Sequence, residues 1–114
     1  MSLTNTETWV YVCELAALTV ERGVCALVDG QQVALFRLSA TDVVALGNWD
    51  PFSNAQVMSR GLIGDRNGVT KLSSPVYKQS FDVRTGQCLD DPSVSIPVYP
   101  VRIDGHRVQV RVSS

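Results

Sequence analysis

Two stretches decide the reading of this chain: Asn48-Trp49-Asp50-Pro51-Phe52-Ser53 and Ser74-Pro75-Val76-Tyr77-Lys78-Gln79. The first follows the apolar run Val43-Val44-Ala45-Leu46 and the second follows Thr70-Lys71-Leu72. Runs of this kind, rich in β-branched residues, predict strands. Both stretches are therefore expected as loops at the end of a sheet. Pro75 breaks the pairing after Leu72, because proline lacks the N–H that a β-ladder needs.

Outward from these loops the same signals recur. Trp9-Val10-Tyr11-Val12-Cys13 reads as the first strand, and residues 14–20 as one helical turn or a wide connection. Residues 24–28 and 32–38 are apolar runs around Asp29-Gly30, a strong hairpin signal. Leu62-Ile63 and Thr70-Lys71-Leu72 flank Asp65-Arg66-Asn67-Gly68, where Asn-Gly marks a tight turn. Residues 49–61 hold no period, and Pro51 with Ser, Asn and Gln predicts an ordered loop there. Downstream, Ser80-Phe81-Asp82-Val83 is a strand closed by Arg84-Thr85-Gly86, and residues 89–93 form an acidic loop. Pro97 and Pro100 confine residues 94–103 to an edge or irregular strand. After a third turn at Asp104-Gly105, Val108, Val110 and Val112 alternate with Arg107, Gln109 and Arg111.

No stretch sustains an apolar period of 3.6, so long helices are not expected. The fold class expected is all-β: an antiparallel β-sandwich or barrel, with a loop subdomain inserted at about residues 48–79. Residues 1–114 are expected to form a single domain, with a loose polar stretch at 1–7.

Composition narrows the function classes. At 114 residues and 45% hydrophobic, the chain carries one modest core, and 18% charged residues exclude a disordered composition. A net charge of −1 gives no field to draw in nucleic acid or an anionic membrane. No apolar run reaches the length that crosses a bilayer, and no secretory signal pattern is visible at the N-terminus. Cys13, Cys25 and Cys88 are widely spaced and odd in number, a poor disulfide framework. Free thiols in a cytoplasmic setting are expected, with Cys13 and Cys25 as small buried hydrophobes among apolar neighbours.

The order of these segments resembles the Rieske fold over nearly the whole chain. In that family the first loop reads Cys-x-His and the second Cys-Pro-x-His. Those positions are held here by Asn48, Asp50, Ser74 and Tyr77. Residues 52–61 match the stretch after Cys-x-His, and Phe81-Asp82-Val83-Arg84-Thr85-Gly86 matches the Phe-Asp-x-x-Thr-Gly turn after the second ligand pair. A narrower resemblance lies in Asp50-Pro51-Phe52-Ser53, Ser59-Arg60-Gly61, Ser74-Pro75-Val76-Tyr77-Lys78-Gln79, Cys88-Leu89-Asp90-Asp91-Pro92 and Val98-Tyr99-Pro100-Val101-Arg102. Together they resemble the small subunit of the assimilatory NAD(P)H-dependent nitrite reductase. That likeness implies a large catalytic subunit as partner, carrying FAD, an iron–sulfur cluster and sirohaem, and reducing nitrite to ammonium in the cytoplasm.

A Rieske centre needs two thiolates and two imidazoles. The chain has one histidine, His106, beside the Asp104-Gly105 turn. Two imidazole ligands from one chain are thereby excluded, and no cofactor is expected in this chain. Ser74 and Tyr77 are poor soft ligands, Asn48 is neutral, and the single carboxylate of Asp50 is not a metal site. These degenerate cluster positions are expected to be structural: Ser74 and Asp50 bonding to backbone amides, Trp49 and Tyr77 filling volume. A zinc site from Cys13, Cys25, Cys88 and His106 lacks the paired spacings zinc favours. No phosphate loop and no G-x-S-x-G is present. Asp90-Asp91 reads as a solvated pair. Arg60 and Lys78 leave a bound anion in the loop subdomain open, against two exposed surface cations.

The function expected is a small accessory subunit without its own cluster and without catalytic residues. Its candidate partner interface is Trp49, Pro51, Phe52, Arg60, Pro75, Tyr77 and Lys78, aromatics and cations suited to a protein contact. The other reading of the aromatics is that they pack inside the subdomain. The rival functions are a Rieske-type electron carrier and a free-standing small-molecule binding module.

Overall fold

The computed structural model describes residues 8–112; the stretch 1–7, expected to be loose, lies outside the described residues. The strands are β1 (Val10–Glu14), β2 (Val24–Val28), β3 (Gln31–Arg37), β4 (Val43–Gly47), β5 (Trp49–Asp50), β6 (Ala55–Gln56), β7 (Leu62–Arg66), β8 (Val69–Ser73), β9 (Ser80–Asp82), β10 (Val98–Tyr99), β11 (Val101–Asp104) and β12 (Arg107–Val110). All their pairings are antiparallel. Helical structure among the described residues is limited to single 3-10 turns at Leu15–Ala17 and Met58–Arg60. The loop read at 49–61 thus contains a short β5–β6 pairing and one of these turns.

The strands form sheets ordered β1-β12-β11, β10-β4-β3-β2 and β7-β8-β9, with β5-β6 apart. The four-stranded sheet is the middle layer. Val33 and Leu35 of β3, with Val43 and Ala45 of β4, share a core with Val108 and Val110 of β12. The alternate residues, Ala34, Phe36, Val44 and Leu46, share a second core with Met58, Leu72 and Phe81 of the inserted loops. Burial on both faces explains why residues 43–46 read as a continuous apolar run without alternation. β12 is central in its own sheet with one buried face, and it alternates.

The hairpin turns follow backbone chemistry. Asp29 and Gly30 have φ of 48° and 80°, and Asn67 and Gly68 have 53° and 85°. Positive φ at both central residues is the type I′ pattern, which matches strand twist. The third turn differs from the expected Asp104-Gly105. Asp104 pairs with Arg107, so the turn is Gly105-His106. Gly105 alone has positive φ, 67°, which suits glycine at the first central position of a type II′ turn.

Pro97 and Pro100 flank β10, and β10 and β11 are both edge strands, where a missing N–H costs nothing. The Phe-Asp-x-x-Thr-Gly stretch is a turn closed by its own side chains. Asp82 Oδ1 accepts the Arg84 N–H at 2.8 Å, and Thr85 Oγ1 accepts the Gln87 N–H at 3.2 Å. Gly86 has φ of 80°, and a Cβ there would lie 2.0 Å from the Ile96 carbonyl oxygen, so glycine is required.

One cysteine departs from expectation. Cys25 is exposed, and Cys13 is half-buried. β2 is an edge strand that buries only one face; Val24, Ala26 and Val28 take it, and Cys25 and Leu27 point outward. Cys88 is buried in the loop-side core.

Candidate functional site

Asn48, Asp50, Ser74 and Tyr77, the positions that the resemblance sets against cluster ligands, divide into an anchor, a bridge and an exposed ring. Asn48 continues the fully buried β4 and is 2% exposed. Its Oδ1 accepts the Ser59 N–H at 2.7 Å; its Nδ2 donates to Gln32 Oε1 at 3.1 Å and to Cys25 Sγ at 3.5 Å. Asn48 thus ties the first loop back to β3 and β2. Gln32 reaches it because β3 and β4 pair Ala34 with Leu46, which sets Gln32 beside Asn48. That partner is absent from the local sequence around the loop, and only strand register reveals it.

Asp50 is fully buried. Its Oδ1 accepts the Phe52 N–H at 2.9 Å, an Asx-type turn, and its Oδ2 accepts the hydroxyls of Ser53 at 2.8 Å and Ser74 at 2.5 Å. Ser74 is 1% exposed and its Oγ also accepts the Val76 N–H at 3.2 Å, while its own N–H donates to the Gln79 carbonyl at 2.9 Å. One charge-assisted hydrogen bond between Asp50 and Ser74 therefore joins the two loops, and each residue also orders its own loop through a backbone amide.

Trp49 and Tyr77 do not fill the volume expected of them: they are 44% and 61% exposed. Trp49 lies between the buried Asn48 and Asp50 in an extended segment, so alternation turns it outward. Phe52 follows the other reading of the aromatics, packing inside the subdomain. It is half-buried, with its ring centroid 6.1 Å from that of Phe81, and it packs on the loop-side core instead of facing outward. Arg60, Pro75 and Lys78 are exposed, and Pro51 is half-buried. Trp49 and Pro51 line a groove of about 460 Å³ with Leu27, Gln56, Pro97 and Tyr99. Arg60 lines a different cleft, with Arg22.

Burial alone would raise the Asp50 carboxyl. The hydrogen bonds from Ser74, the Phe52 amide and Ser53 outweigh it and hold the group below the usual carboxylate range. A depressed folded value means that Asp50 stabilises the fold above the unfolded carboxyl pKa of about 3.9, and that this contribution is lost as pH falls through the lower folded value. Acid unfolding followed by tryptophan fluorescence is expected to lose stability below about pH 4, with a shallower pH dependence in Asp50→Asn. Identical slopes for the two proteins would contradict the assignment.

The residues do not fit a Rieske cluster. Two of the four positions are hydrogen-bonded to each other, and the amide of the third is committed to Ser59, Gln32 and Cys25. Among the described residues no three His, Cys, Asp or Glu side chains converge as metal ligands. His106 sits on the β11–β12 hairpin, in the layer on the other side of the central sheet, exposed and paired through Nδ1 with Glu14. Asp90 and Asp91 do not act as a carboxylate pair. Asp90 accepts the Ser80 N–H at 2.8 Å and pairs with Arg66 at 3.1 Å, and Asp91 caps Ser93.

Comparison with known proteins identifies the fold and the family. The family model of the Rieske-like [2Fe-2S] domain matches residues 8–111. The NADH nitrite reductase small subunit of Salmonella typhimurium is 40% identical over 104 residues, covering 90% of this chain and 96% of that protein. A solved Mycobacterium tuberculosis structure, described as an NADH-dependent nitrite reductase small subunit, is 52% identical with a TM-score of 0.89, over 94% of this chain and 97% of that one. The NAD(P)H nitrite reductase large subunit of Klebsiella oxytoca is 37% identical over 102 residues, which are 90% of this chain and 11% of that protein. A β-sandwich of this topology, matched at these levels, belongs to the Rieske-like domain family and, within it, to the small subunits of NAD(P)H nitrite reductase.

Proposed function

We propose that this chain is a non-redox accessory subunit of an NAD(P)H-dependent nitrite reductase, holding no cluster of its own and docking on a large catalytic subunit. That subunit would carry FAD, an iron–sulfur cluster and sirohaem, and reduce nitrite to ammonium in the cytoplasm. The observation that carries the reading is the Asp50–Ser74 hydrogen bond at 2.5 Å. It does for the two loops what an inorganic cluster does in an electron carrier: it holds them in register, so the shell and its tips persist without metal. The three free cysteines suit a reducing compartment. The Klebsiella oxytoca large subunit contains a segment homologous to this chain, which supports a working association between the two.

The exposed part of the candidate interface, Trp49, Arg60, Pro75, Tyr77 and Lys78 with half-buried Pro51, is proposed as docking surface. Phe52 supports it from below through Phe81. Co-expression with the large subunit is expected to yield a stable complex with higher nitrite turnover or longer lifetime than the large subunit alone. Anaerobically purified small chain is expected to contain no stoichiometric iron or acid-labile sulfide. Unchanged assembly, stability and turnover, or one cluster per chain, would defeat the reading.

A further inference from the structure

The arginines of this chain are almost all engaged. Arg37 donates to the carbonyls of Leu15, Leu18, Ser39 and Ala40. Arg66 pairs with Asp90, and Arg84 with Asp42. Arg102 and Arg111 lie over the Trp9 ring, and Arg107 over Tyr11. The side chains of Arg22 and Arg60 alone among these have no hydrogen bond, ion pair or ring contact with any described residue, and both are exposed. They line one cleft of about 390 Å³, between the 19–23 bend and the turn at Met58–Arg60.

Its walls are fixed in place. The Glu21 N–H donates to the Arg37 carbonyl at 2.7 Å and the Arg22 N–H to the Thr19 carbonyl at 3.0 Å. The two segments touch at Gly23, where a Cβ would lie 2.0 Å from the Ser59 carbonyl oxygen, and Gly61 is as tightly enclosed, 2.3 Å from that of Ser73. Two large apolar side chains border the cleft, Leu62 at 72% exposure and Val20 at 48%. Among the described residues Glu21 is its single acidic side chain, so Arg22 and Arg60 leave a local excess of positive charge. A volume at the low end of ligand pockets seats a few side chains or a small anion and not a large cofactor. Guanidinium groups beside exposed apolar residues are the makings of an interface anchor, because arginine pairs bidentately with carboxylates.

We propose that this cleft receives an acidic segment of the large subunit, a carboxylate placed between Arg22 and Arg60 with a neighbouring apolar side chain on Leu62 and Val20. The inference rests on the accessory-subunit reading, and extends it from the loop tips to their flank. The occupant is argued from charge: the cleft is cationic in a chain whose net charge is −1, so long-range attraction does not select the partner and a local match must.

The test is titration of the full chain against the purified large subunit. Arg22→Glu with Arg60→Glu is expected to weaken binding by about 100-fold or more, and Leu62→Ser by about 10-fold. Wild-type affinity is expected to fall by about 10-fold as salt rises from low to a few tenths molar, with little salt dependence in the double variant. An unaffected complex in the double variant, its fold checked by circular dichroism, would overturn this inference and leave the accessory role standing. Absence of any complex with the wild-type chain would overturn both. Stabilisation of the isolated chain by inorganic phosphate or nitrite, abolished in the double variant while complex affinity stays unchanged, would also overturn it, in favour of a small-anion site.

Discussion

Asp50→Ala is expected to remove about 3 kcal/mol of folding stability, measured by urea unfolding with tryptophan fluorescence as the probe. The substitution strands the Ser74 hydroxyl, which is 1% exposed, together with the Phe52 N–H and the Ser53 hydroxyl. A buried donor left without an acceptor costs roughly 1–3 kcal/mol, and Ser53, half-exposed, recovers part of that from water. Relief of a buried charge offsets some of the rest. Ser74→Ala removes one donor of three and is expected to cost about 1–2 kcal/mol. The double-mutant cycle should show a coupling on the order of 1–2 kcal/mol, because the two side chains touch. A loss under about 1 kcal/mol in Asp50→Ala would mean that backbone hydrogen bonds alone hold the loops, and the comparison with a missing cluster would fail.

Phe36→Ala is expected to cost still more, about 3–5 kcal/mol. Phe36 is fully buried on the face of β3 that meets the inserted loops, and its ring lies 2.7 Å from where a Cβ on Gly23 would stand. Glycine at that point and phenylalanine opposite are one packing unit, so a void there is not closed by local collapse. Against a typical total of about 5–15 kcal/mol, such a loss moves most of the unfolding curve. If residues 1–114 behave as one domain, far-ultraviolet circular dichroism and tryptophan fluorescence should report a single coincident transition in wild type and variant. Separate transitions would show that the loop subdomain melts apart from the sandwich.

The strands were readable because their signals are local. Val33 to Phe36 and Val43 to Leu46 are apolar for at least four residues in a row, and Asp29-Gly30 and Asn67-Gly68 supply the positive φ that two-residue hairpins require. Where the reading slipped, the cause was non-local. Cys25 looked buried among apolar neighbours, but β2 lies at the edge of its sheet and has one face to bury. The local sequence leaves Phe52 between a tip and a packed position; it rests on Phe81, which is brought beneath it by the β8–β9 pairing. The third hairpin shifted by one residue because pairing of Asp104 with Arg107, not turn propensity, chose its centre.

Taken alone, the amino-acid sequence determined that this chain is all-β, that its two loops follow the Rieske order, and that it carries one histidine where a Rieske centre takes two. Those are matters of residue type, spacing and count, which need no coordinates. Tertiary structure decided what these loop residues touch: Asp50 meets Ser74 across 24 positions of chain, and Asn48 meets Gln32 across 16. It also decided which aromatics face solvent, and that Arg22 and Arg60 share a cleft. Hydrogen bonds and exposure depend on which strands lie side by side and on which faces are covered, and pairing over such distances leaves no mark in either segment by itself.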